Sequence, residues 1–151
     1  HYDASGNLLA VFVDDETVSE KDLFVFERRP DLSFSGPIPL PDPVSLPGEE
    51  EIQPFFTGSE LIFKRNGIAS CAYLGGDYGE SSSWAAAETI LSDDPTFDIG
   101  RVTILGEPTI CERQGKTILY FVYIAVREYD ATATTYPWRL DLNAAYVEKL
   151  P

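Results

Sequence analysis

The stretch EIQPFFTGSELIFKRNG, residues 51–67, decides the fold class. Gln53-Pro54-Phe55-Phe56 reads as a short extended run, with proline suited to a strand start or edge. Thr57-Gly58-Ser59 supplies a turn in which glycine can take positive φ. Leu61-Ile62-Phe63 resumes the apolar pattern, and Lys64-Arg65-Asn66-Gly67 closes it with a second turn. Runs this short, bounded by turns on both sides, predict strands rather than a buried helix.

The arrangement recurs. Gly58 lies five residues before Phe63, Gly6 lies six before Phe12, and Gly115 lies six before Phe121. The three glycines are 52 and 57 residues apart, a period in the range of repeat architectures. Each unit reads as strand, glycine turn and apolar strand. Asp22 to Arg28 then gives the first unit a third strand, and the proline-rich Phe34 to Val44 an edge strand or loop. In the second unit Gly67 to Leu74 takes third place and Trp84 to Leu91 fourth, the latter alanine-rich enough to suit a helical turn as well. In the third, an insertion from Arg127 to Arg139 precedes a strand from Leu140 to Val147. The expectation is a single all-β domain over residues 1–151, with units of about 1–47, 48–99 and 100–151.

The segments SEKDLFVFERRPDLSFSGPIPLP (residues 19–41) and EIQPFFTGSELIFKRNG resemble the WD40-like repeats of TolB-type β-propellers. The resemblance spans most of residues 1–94 and, more weakly, 100–147. It departs from the family where Thr57-Gly58 and Gln114-Gly115 replace the usual Asp-Gly pair. It implies a propeller segment of about three blades in an exported, periplasmic or secreted chain. Propellers close with four to eight blades, so another propeller chain or a second copy is expected to complete the ring.

Charge narrows the partners. Eleven Lys and Arg against 25 Asp and Glu leave −14, which repels nucleic acid and acidic membrane surfaces. The apolar runs are too short for membrane insertion. Calcium is the metal such acidity suits, with Asp14, Asp15, Asp93 and Asp94 as candidates, although no D-x-D-x-D-G loop is present. Cys71 and Cys111 are too few for a zinc site and read either as two separate buried thiols or as one disulfide. His1, the one histidine, lacks the second histidine a copper brace needs.

Two chemistries compete on this scaffold. Aromatic side chains at loops, Tyr78, Trp84, Tyr129, Tyr136 and Trp138, suit stacking on a glycan or anchoring a protein, which makes a non-catalytic binding scaffold the leading expectation. The alternative is a glycoside hydrolase, with Glu107 before Pro108 as general acid and Glu51, near Pro54, as the related carboxylate. A recurring glutamate near proline also reads as part of the repeat itself. A purely structural propeller is the third reading.

Overall fold

The computed structural model describes residues 8–14, 21–92, 96–97, 100–129 and 138–148, with side-chain environments for 21–92 and 105–123. The described chain is all-β. It contains no α-helix, only a 3-10 turn at Ser81–Ser83. Strands β1 (Leu8–Asp14), β2 (Lys21–Glu27) and β3 (Ile38–Pro39) form a first antiparallel sheet. Strands β4 (Ile52–Phe56), β5 (Glu60–Lys64), β6 (Gly67–Ala72) and β7 (Glu88–Ser92) follow as a four-stranded meander. Strands β8 (Thr96–Phe97), β9 (Gly100–Arg113), β10 (Lys116–Tyr129) and β11 (Trp138–Glu148) make the third sheet, again in sequence order.

The hairpin read from residues 51–67 is present. Gly58 turns β4 into β5 at φ 101°, and Gly115 turns β9 into β10 at φ 73°, a region that side chains with a Cβ disfavour. Gly6 lies outside the described residues. Both described hairpins carry the same irregularity. In β4, Ile52 pairs with Lys64 and Phe55 with Ile62, so Gln53 and Pro54 together oppose Phe63. In β9, Gly106 pairs with Val122 and Thr109 with Tyr120, so Glu107 and Pro108 together oppose Phe121. Two residues facing one is a β-bulge, and in each the first residue is left-handed: Gln53 at φ 55° and Glu107 at φ 49°. The bulge thus aligns the second sheet with the third. Phe63 matches Phe121, and Glu107 matches Gln53.

That alignment corrects one expectation. Glu51 is not the counterpart of Glu107. It stands two residues before the bulge, where the third sheet has Leu105, and both side chains are fully buried.

The core shows how the sheets stack. Along β5 the side chains alternate, and both faces are buried: Leu61 and Phe63 on one, Ile62 on the other. Leu61, Phe63, Ala69 and Cys71 cluster with Leu23 and Val25 of the first sheet. From the opposite face Ile62 and Ile68 cluster with Leu105, Leu119, Phe121 and Tyr123 of the third. The second sheet is therefore sandwiched. Phe63 is turned to the sheet before it and Phe121 to the sheet before it, so these two units pack head to tail. The first unit is offset. Leu23, opposite Phe12, lies in the same inter-sheet cluster as Ala69, opposite Phe63, so Phe12 is not at the equivalent register position.

Element boundaries differ from the expectation in two places. The fourth strand of the second sheet starts at Glu88, not Trp84. Trp84 makes only an isolated bridge to Tyr73 because its ring is drawn into the core, 5 % exposed, with its indole N–H donating to the Tyr78 carbonyl at 2.9 Å. In the third sheet the β10–β11 ladder runs on to Tyr129 opposite Trp138, so the expected insertion shrinks to residues 130–137, outside the described residues. The proline-rich segment behaves as expected: Ile38–Pro39 forms a two-residue strand at the sheet edge, and Phe34 adds an isolated bridge to Arg28.

Candidate functional site

Where the second and third sheets splay apart, their shared core gives way to a cleft of about 470 Å³. Its apolar floor comes from Ala72, Ala85, Ile90, Ile110 and Leu119. Its polar wall is a row across three strands. Glu60 and Ile62 share a face of β5, Ile62 pairs with Ser70 in β6, and Ser70 pairs with Glu88 in β7. Glu60, Ser70 and Glu88 thus share one face, with Glu88 directly beside Ser70 and Glu60 diagonal to it, opposite Ala72. The Ser70 hydroxyl donates to Glu60 Oε1 at 2.5 Å. On the opposite wall Thr117 donates its hydroxyl to Glu112 at 2.5 Å, placing another carboxylate beside the cleft.

The expected carboxylate pair is not assembled. Glu107 is exposed on its bulge, and its backbone N–H donates to Gln53 Oε1 at 2.9 Å, which ties the two bulges together. A Cβ at Gly106 would lie 2.5 Å from that same oxygen, so any larger residue there would push the Gln53 side chain off this contact. Glu51 has no exposed surface. Its Oε1 accepts from the Leu46 N–H and from Arg65 Nη1, both at 3.4 Å, while Oε2 has no hydrogen-bond partner. Arg65 Nη1 also donates to the carbonyls of Val44 and Pro43, at 3.0 and 3.3 Å. Burial raises the Glu51 carboxyl above its ordinary range, and the Leu46 N–H and Arg65 only partly oppose this. A carboxylate enclosed in this way fastens the 41–51 segment to the β5–β6 turn and cannot meet a sugar.

The aromatic candidates fall in two groups. Tyr78 and Trp84 join Tyr73 and Phe56 in one cluster, with Tyr73 and Tyr78 stacked at 4.8 Å and the Trp84 ring tilted by 50° against Tyr73 at 5.0 Å. Tyr78 keeps a half-exposed ring, whereas Trp84 packs inside. Tyr129 ends β10 and Trp138 begins β11, with side chains outside the described residues, as is all of Tyr136. Among the calcium candidates Asp14 ends β1, and Asp15, Asp93 and Asp94 lie outside the described residues.

Both cysteines are free thiols on different sheets. Cys71 is buried, donates to the Ala85 carbonyl at 2.9 Å, and is pushed up to about 11 by burial. Cys111 is half-buried in β9. Of the two sequence readings, separate thiols are what the structure shows.

The cleft itself escaped sequence reasoning, because its wall is drawn from three strands and no local motif joins Glu60, Ser70 and Glu88. Comparison of the chain with protein-family models, with curated proteins and with solved structures finds no match.

Proposed function

We propose that the chain is a non-catalytic segment of a WD40-like, TolB-type β-propeller, acting outside the cytoplasm as a scaffold for a protein or glycan ligand. One observation carries the reading. A four-stranded meander lies between two neighbouring sheets with both faces of its strand β5 buried, and it repeats the bulged hairpin of the next in the same sense. Radial stacking of four-stranded meanders is how propellers are built. The next blade, from another propeller chain or a second copy, belongs on the outer face of the third sheet. Tyr120, 39 % exposed there, matches Ile62, which is fully buried beneath the third sheet.

The hydrolase reading is the weaker one, since Glu51 is enclosed and Glu107 stands without it. Aryl glycosides and an array of glycans and peptides, offered to the same preparation, separate the two. Ligand retention without glycoside turnover is the expected result. Turnover that disappears in Glu107→Gln would replace the scaffold with an enzyme.

A further inference from the structure

Strand β7 is an edge of the second sheet, and its residues Glu88, Thr89 and Ile90 are exposed. An exposed edge offers backbone N–H and C=O groups to any extended chain laid beside it. Natural edges are protected by charge or by a bulge, and β7 has both: Glu88 on the edge, and Ile90 as the extra residue between the Ile68–Leu91 and Ala69–Thr89 pairs. The cleft opens along this edge. Two carboxylates, Glu60 and Glu88, line it together with the hydroxyls of Ser70, Thr89 and Thr117, and the floor is apolar.

What the lining lacks is as informative. Among the described residues that line the cleft there is no aromatic ring and no Lys or Arg, so these residues offer a sugar no stacking face and an anion no counter-charge. An ammonium or guanidinium on an aliphatic stem matches both parts: the stem covers the apolar floor and the head meets the carboxylates.

We propose that this cleft receives an extended basic peptide, which pairs with β7 and lays a lysine or arginine side chain against Glu88. A strand added beside β7 would sit about 4.8 Å away, so its residue opposite Glu88 would share the Glu60–Ser70–Glu88 face and make a cross-strand ion pair. The apolar neighbours of that residue, two positions along on the same face, would reach the floor near Ile90, Ile110 and Leu119. The inference deepens the scaffold reading by naming its ligand, and it holds whether or not a ring closes around it.

The test uses the whole chain and two five-residue peptides, acetyl-Val-Val-Arg-Val-Val-amide and its glutamine counterpart, with binding read by calorimetry at two salt concentrations. The arginine peptide is expected to bind at least tenfold more tightly than the glutamine peptide and to weaken as salt rises. Glu88→Gln should remove that preference, whereas Asp31→Asn, an equal charge change at an exposed site in the Arg28–Phe34 turn, should leave it intact. Alternate N-methylation of the peptide backbone should abolish binding by blocking the ladder. Equal affinity for both peptides, no binding at millimolar concentration, or an equal loss in Asp31→Asn would overturn the proposal. A glycan retained by a chain that ignores both peptides would overturn it and leave the scaffold reading standing.

Discussion

Phe63→Ala is the substitution that weighs most on the stacked-sheet account. The ring is fully buried, stands opposite the Gln53–Pro54 bulge, packs among Leu23, Val25 and Leu61, and lies 5.2 Å beneath the Arg65 guanidinium. Removing it deletes a large apolar side chain and leaves a cavity between strands that cannot close independently. Such truncations cost about 3–5 kcal/mol. In a domain of this length each kcal/mol moves Tm by about 2–4 °C, so the midpoint should fall by about 6–20 °C. Urea denaturation followed by far-UV circular dichroism and by tyrosine fluorescence reads the loss directly. Leu74→Ala, at a side chain 65 % exposed, is the matched control and should stay within about 0.5 kcal/mol. A Phe63→Ala loss under about 1 kcal/mol would refute the reasoning, because a ring sandwiched between sheets cannot be removed so cheaply.

Three further outcomes follow from individual side chains. The Glu51 carboxyl is raised above its ordinary value of 4.5, so its contribution to stability is present below that value and lost as pH rises through the folded one; Glu51→Gln should remove this decline, and parallel pH profiles for parent and variant would contradict it. Cys71, held near 11 and buried, should resist alkylation of the native chain at pH 8 while Cys111 reacts first; peptide mapping that finds equal labelling, or a Cys71–Cys111 bridge, would contradict the placement. Gly106→Ala should cost about 0.5–1.5 kcal/mol, as the methyl group displaces Gln53 Oε1 from the Glu107 N–H, and it should cost clearly less in a Gln53→Ala background, as a double-mutant cycle would show.

The sequence made the all-β class legible because it is written locally. A glycine free to take positive φ and an alternating apolar strand beside it specify a hairpin with no help from the rest of the chain. Phe63 and Phe121 were recognisable as core for the same reason. The bulges were not, because a bulge is a property of register between strands; the only trace was glutamate or glutamine near proline. That trace misled at Glu51. Its burial depends on Arg65 and the Leu46 N–H, 14 and 5 residues away, which no spacing rule connects. Trp84, whose place near a loop suits a ring that stacks on a ligand, is internal, because Phe56 and Tyr73 pack against it. The cleft lay furthest from view: its carboxylates come to share one face only once β5, β6 and β7 pair.

The second and third sheets stack head to tail, and the proposed further sheet would cover the outer face of the third, where Tyr120 is exposed. Sedimentation equilibrium of the 151-residue chain at micromolar concentration, run beside Tyr120→Glu, tests that covering most directly. The expected result is an assembly heavier than 16.8 kDa that the Tyr120→Glu variant breaks down. A cooperatively folded monomer of 16.8 kDa, unchanged in mass and stability by Tyr120→Glu, would contradict it.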